Sequence, residues 1–209
     1  MRKFKFGLMA SGLVFAAPGF AAQAKHHFSM TGNYVEGCSC SAPCACELTG
    51  VQMGCEGIGA FNLTGGSFDG KSLAGVRAAY ATAPGSWVMI YVDAPNDAKR
   101  KTAEAFMRAA FKDWGKIEAV KSGKISISHK GNRDMCSVDG GSVMSYESQA
   151  VMGGDGKTPL CYSNIKDPMH PVIMQAKIVH CTYSDGGHKI SLKDTNAYFN
   201  HAIRSSGKL

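Results

Sequence analysis

"SWVMIYVDAPNDAKRKTAEAFMRAAFKDWG", residues 86–115, contains the change of period on which the fold class turns. Its first part, residues 86–94, carries Trp87, Val88, Ile90, Tyr91 and Val92. Those side chains suit a pleated surface and predict a strand. Beyond Pro95 the period becomes helical. Ala103, Phe106, Met107, Ala110, Phe111 and Trp114 fall at i, i+3, i+4, i+7, i+8 and i+11, a single apolar stripe. With Asn96 as N-cap and Gly115 as a stop, the spacing predicts an amphipathic helix over about 97–114.

On either side the pattern is one of strands. Residues 28–36, 58–66 and 73–83 precede the helix, and 123–131, 142–152, 172–185 and 188–192 follow it, with Gly-rich turns between several of them. "TNAYFNHAIRSS" (195–206) reads as a short helix or an irregular edge. Strands in runs around one good helix predict an α+β class: a mainly antiparallel β-sheet, one amphipathic helix and an N-terminal cysteine-rich loop.

Residues 1–24, "MRKFKFGLMASGLVFAAPGFAAQA", have a basic start, an apolar stretch and an Ala22-Gln23-Ala24 end. This is the pattern of a secretory signal peptide, with cleavage expected after Ala24 and a periplasmic or secreted location. The apolar run is shorter than the ~20 residues a spanning helix needs, so no membrane span is expected after cleavage. Residues 25–209 then form one domain of sufficient length for its own core. The leader carries three of the 23 basic residues and none of the 16 acidic ones, leaving 20 against 16, or +4 in place of +7. That balance is too mild, and its lysines too scattered, for a nucleic-acid partner.

Five of the eight cysteines fall between positions 38 and 55: Cys38, Cys40, Cys44, Cys46 and Cys55. Outside the cytosol disulfides are permitted. A bond within either C-x-C pair would close a strained ring, although Cys40 with Cys55 is geometrically easier. A thioredoxin-like C-x-x-C is missing. In extended chain, residues i and i+2 point to one side, so each pair presents two sulfurs together. Ser41-Ala42-Pro43 can fold one pair back on the other. Zinc knuckles are normally spaced C-x-x-C, whereas Cu(I) accepts fewer soft ligands in a less regular geometry. These residues therefore point to a periplasmic Cu(I)-binding protein, for chaperoning, sequestration or tolerance, rather than to an enzyme. Its partners would be the metal ion and another periplasmic copper protein. Two alternatives stay open: an exported module whose cysteines are disulfide-bonded, and a thiol–disulfide oxidoreductase using Cys44 or Cys46.

The same stretch carries a resemblance. Tyr34, Glu36, Cys38, Cys40, Cys44, Cys46 and Cys55, followed by Gly66, Phe68, Leu73 and Gly75, resemble the motif of the bacterial domain of unknown function 1326 family. "TNAYFNHAI" is similar to that family's asparagine-aromatic ending. The chain departs from it at Cys44-Ala45-Cys46, where the family usually has C-P-C, and in its leader and its three later cysteines. The resemblance supports the reality of the motif and supplies no role.

Other residues carry weaker signals. Cys136, Cys161 and Cys181 are expected to include one disulfide rather than a second metal site. "DPMHP" (167–171) sets Met169 and His170 between two prolines, predicting an exposed loop with two candidate ligands. Met144 and Met174 read as fillers of a sheet core, and His129, His180 and His188 as core or surface residues. Asp69, Glu47, Glu56 and Asp155 show no pairing suited to acid–base chemistry. Cleavage after Ala24 would expose Lys25-His26-His27. Its amine, two backbone amides and the His27 imidazole could form a square-planar Cu(II) site on a frayed terminus, with His26 beside it.

Overall fold

A computed structural model describes residues 25–50 and 54–209, and the leader read as a signal peptide lies outside them. In chain order the elements are β1 (His27–Cys38), α1 (Ala45–Thr49), β2 (Gly57–Phe68), β3 (Lys71–Ser72), β4 (Val76–Ala83), β5 (Ser86–Asp93) and α2 (Asp97–Ala110). There follow β6 (Gly115–Ser122), β7 (Ile125–Lys130), β8 (Arg133–Val138), a 3-10 turn (Asp139–Gly141) and β9 (Met144–Ala150). The chain ends with β10 (Cys161–Ser163), β11 (Val172–Asp185), β12 (His188–Leu192) and β13 (Asn196–Lys208).

Strand accounts for 58% and helix for 12% of the described residues, so the class is mainly β and the α+β expectation is corrected. Two segments carry most of the difference. Residues 115–122 and 133–138, unassigned from sequence, are β6 and β8. The 195–206 stretch is neither helix nor edge: β13 lies between β1 and β11, in the middle of the sheet. Asn196 to Asn200 are all buried, so no polar face alternates with an apolar one to reveal a strand.

The sheet runs β6-β5-β4-β2-β1-β13-β11-β9-β8-β7, with β3, β10 and β12 paired at its margins. All pairings are antiparallel except β5 with β6, which α2 connects. The sheet curls into a half-barrel. Across the trough the Tyr91 and Tyr183 hydroxyls meet at 2.9 Å, and the Trp87 ring stacks on His188 at 3.9 Å. Val35, Ile58, Met89, Val138, Tyr146 and Ile178 belong to the inner core. The outer face of β1, β2, β4 and β5 is covered by α2, through Ala103, Phe106 and Met107, with Phe111 packed just beyond the helix end. Asn96 caps the helix, its Oδ1 accepting from the Lys99 amide at 3.0 Å. The helix stops at Ala110, short of the expected 114, because the chain turns to pack Phe111 and Trp114 on Tyr80.

The three later cysteines do not pair. Cys136 and Cys181 both register against Tyr146, one on each side of β9. Two strand spacings separate them by roughly 10 Å, beyond disulfide reach. Cys161 is exposed on the marginal strand β10. We expect an alkylating reagent to modify Cys161 rapidly in the native protein, and Cys136 and Cys181 only at the rate of unfolding. Mass spectrometry of timed samples reads this directly; early labelling of Cys136 would contradict the packing described.

Candidate functional site

The outer face of β1 leads from the core into the cysteine loop. Tyr34, Glu36 and Cys38 alternate along it and so share one side. The chain leaves β1 at Cys38, turns through a cis Ala42–Pro43 bond and enters the short α1 with Cys44 as its N-cap. Asn196 and Tyr198 on β13 hold that turn. The Cys44 amide donates to Asn196 Oδ1 (3.2 Å) and to the Tyr198 hydroxyl (2.9 Å), and the Asn196 amide donates to the Cys40 carbonyl (2.9 Å). Asn196 Nδ2 also approaches Cys38 Sγ at 3.6 Å.

All five cysteines expected to act together do converge, as free thiols. The sulfurs of Cys38, Cys40 and Cys44 lie within 4.8 Å of one another, and so do those of Cys40, Cys46 and Cys55. Cys40 belongs to both sets. Its Sγ is 3.7 Å from that of Cys46, which is 3.8 Å from that of Cys55. A disulfide would need about 2.05 Å. Sulfurs around a metal at about 2.3 Å are separated by about 3.8 Å in a tetrahedron and about 4.0 Å in a triangle. The Cys40–Cys46 and Cys46–Cys55 pairs are thus already at ligand spacing.

These thiols are unlike one another. The Cys38 thiol, and after it the Glu47 and Cys46 amides, stabilise the Cys44 thiolate and bring its pKa down to about 5 against the cost of burial. Cys38 is pushed up by giving its hydrogen bond to Cys44 and by burial, and Cys40 by burial first. Burial also raises Cys55, to about 11. The Cys44 thiolate is therefore favoured while Cys38, Cys40 and Cys55 hold their protons, which a metal entering the loop must displace.

Cys38, Cys44, Cys46 and Cys55 line a cleft of about 290 Å³ together with Tyr80 and Trp114. Glu36 and Tyr80, which also line it, belong to a buried polar cluster that the sequence did not disclose. Glu36 accepts hydrogen bonds from the hydroxyls of Tyr34 and, at 3.4 Å, Tyr80, which are 3.0 Å apart. Burial, then the charge of Glu47, raises the Glu36 pKa to about 8. In register, Glu36 faces Gly59 and Gly59 faces Tyr80. Having no side chain, Gly59 lets the Tyr80 ring lie across β2 to reach Glu36; a Cβ there would come within 2.4 Å of that ring. Gly59→Ala is expected to cost about 1–3 kcal/mol through overpacking, measured by denaturant unfolding, and an unchanged midpoint would show that Tyr80 moves freely.

Met169 and His170 are not in an exposed loop. They are 2% and 1% exposed, because residues 164–171, between β10 and β11, fold over the outer face of β1. The His170 ring stacks on Tyr34 at 4.4 Å. Its Nδ1 lies 3.1 Å from Glu47 Oε1, at an angle short of a hydrogen bond, and its Nε2 lies 3.7 Å from Asp167. Burial alone would lower its pKa, but Glu47 and Asp167 outweigh that and raise it to about 9. Met169 packs in the outer core with no part in the cleft. The Glu47 carboxylate is thus brought to His170 from across the fold, which linear spacing did not show, while Asp167 meets that ring from three residues away.

His26 and His27 lie far from the cysteines, and the terminus is not frayed. The His26 amide donates to the Leu209 carbonyl at 3.2 Å, and the His27 amide to Asp69 Oδ1 at 2.9 Å. His26 Nδ1 is 2.7 Å from Asp69 Oδ2. A square-planar Cu(II) site needs both amides deprotonated and would have to break these bonds.

No protein-family model matches the chain, and no curated protein is significantly similar to it. Among solved structures, an acetoacetate decarboxylase from Legionella pneumophila aligns over 97% of this chain and 98% of its own, at 9% identity and a TM-score of 0.39. The enduracididine biosynthesis enzyme MppR aligns over 96% and 95%, at 11% identity and 0.40. An acetoacetate decarboxylase-like enzyme from Sphingomonas wittichii RW1 aligns over 96% and 100%, at 10% identity and 0.32. Likenesses of this size assign neither a family nor an activity.

Proposed function

We propose that the protein binds Cu(I) through the thiolates of Cys38, Cys40, Cys44, Cys46 and Cys55, and that it works outside the cytosol as a copper carrier or buffer. The observation that carries this reading is the pair of three-sulfur sets joined at Cys40. Cu(I) is satisfied by two or three soft sulfurs, whereas structural zinc takes four ligands. Among the described residues no set of four sulfurs lies within the same reach. Two Cu(I) ions, one in each set with Cys40 bridging, use all five ligands. The Cys44 thiolate favours a cation in the cleft. Membership of the domain of unknown function 1326 family is part of the same proposal, because Glu36, Cys38, Cys44, Cys46 and Cys55, which carry the resemblance, line this cleft, with Cys40 beside Cys46 and Tyr34 bonded to Glu36.

The test is anaerobic Cu(I) titration of the reduced protein against a competing chelator. Two equivalents should be retained, and a Cys38→Ser/Cys40→Ser double variant should lose most of the binding.

A second reading has its own support. A Cys44 pKa lowered to about 5, with Cys38 and Cys40 close by, is what an attacking thiolate in a thiol–disulfide oxidoreductase needs. Cys44 is only 2% exposed, which opposes it. Catalysed reduction of a model disulfide that disappears in Cys44→Ser would favour that reading over copper binding.

A further inference from the structure

We propose a second metal site, independent of the cysteine cleft, formed by His129, Asp134 and His201 and suited to a divalent ion of the zinc class. The three residues come from β7, β8 and β13 and meet on the inner face of the curled sheet. Asp134 alternates with Cys136 and Val138 of the inner core, and His201 packs against Phe199 of the same core. His129 Nδ1 lies 3.2 Å, and His201 Nε2 2.7 Å, from a single oxygen, Asp134 Oδ1. All three ligand atoms are within 4.8 Å of one another.

Three features point to an ion rather than to a closed hydrogen-bond network. First, Asp134 is 2% exposed, yet its second oxygen, Oδ2, is buried with no hydrogen-bond partner. A buried carboxylate normally has its acceptors filled, and a bare one is costly. Second, the ligand atoms need little movement. Zinc at about 2.0–2.1 Å from nitrogen and oxygen separates its ligands by about 3.4 Å in a tetrahedron. To reach that value the 3.2 Å contact opens by about 0.2 Å and the 2.7 Å contact by about 0.7 Å. Third, the site is reachable. The His129 side chain is 44% exposed and that of His201 32%, so an ion can enter from solvent and complete its shell with water. Two imidazoles and one carboxylate with an open position suit zinc-class ions and not Cu(I), which separates this site chemically from the sulfur cleft.

The probe is Zn²⁺ and the readout is histidine acylation by diethyl pyrocarbonate, followed residue by residue in the full-length folded chain. A metal-bound ring nitrogen is no longer nucleophilic. At free zinc about ten times its dissociation constant, His129 and His201 should be protected together by about tenfold. Exposed His180, on β11, is the internal reference and should react at the same rate with and without zinc. Equal acylation of His129 and His201 in both conditions overturns the site. A His201→Gln variant keeps a donor to Asp134 and removes the imidazole ligand. It should lose the zinc protection of His129 while melting at the same temperature without metal; persistent protection of His129 in that variant likewise overturns the proposal. Both outcomes are indifferent to whether the cysteine cleft binds copper.

Discussion

A Cys40→Ser variant is expected to weaken both Cu(I) sites at once, each falling from three sulfurs to two, with affinity dropping by about a hundredfold or more. The reason is topological. Cys40 is the one sulfur common to the two three-sulfur sets, so its loss leaves Cys38 with Cys44, and Cys46 with Cys55, as separate pairs. Weakening an indirect support of a metal site commonly costs tenfold to a hundredfold in affinity, and removing a bridging ligand must cost at least as much. Cys38→Ser and Cys55→Ser should each damage one set and leave one equivalent of tightly held copper. Chelator competition under anaerobic conditions distinguishes these outcomes. If Cys40→Ser retains two equivalents at unchanged affinity, the bridged arrangement is wrong.

The second large effect is expected at His170. Replacing it by alanine removes the imidazole that lies between Glu47 and Asp167 and is stacked on Tyr34, leaving two largely buried carboxylates without their cation. Breaking a buried charge pair from one side typically costs 3–5 kcal/mol; because the carboxylates keep some solvent contact, about 3 kcal/mol is expected. The same group gives the metal-free protein a pH dependence of definite sign. The folded-state pKa of His170 is raised to about 9, above the unfolded value of about 6.5. Its stabilisation is therefore complete below pH ~6.5 and is lost as the pH rises through about 9. Glu36, raised to about 8, acts in the same direction at lower pH: its contribution is complete below the ordinary carboxylate range and lost as the pH passes through about 8. Denaturant midpoints should thus fall between pH 6.5 and pH 9 in the native chain (roughly the interval between the two His170 values). In His170→Ala the fall should be visibly shallower. Cys44, lowered to about 5, acts in the opposite direction over the same interval, so the difference between the two chains is the test: an equal slope in His170→Ala would show that His170 is neutral in the fold.

Local signals were legible from sequence and long-range ones were not. The stripe of Ala103, Phe106 and Met107 and the Asn96 cap each depend on neighbours within a few turns, so the helix could be read directly. The clustering of five cysteines is also local, and the loop does fold one pair onto the other. Strand β13 was hidden because burial on both faces erases the alternation that marks a strand. Its role in the site was hidden too. Asn196 is 158 positions from Cys38, and only the family resemblance singled out that asparagine-aromatic ending, without a reason. His170 failed for a related cause: two prolines announce a turn, but nothing nearby announces that the turn folds onto Tyr34. In the metal cluster, His129 and Asp134 are cross-strand partners in the β7–β8 hairpin, but His201 joins them only through the curl of the sheet, which no period in the sequence encodes.

The most direct test of the copper-thiolate account is X-ray absorption at the copper edge of the anaerobically Cu(I)-loaded protein. The account predicts a first shell of sulfur alone, at three-coordinate intensity, with a copper–copper vector from the bridge at Cys40. A first shell dominated by nitrogen or oxygen would place the metal outside the cysteine cleft and contradict it.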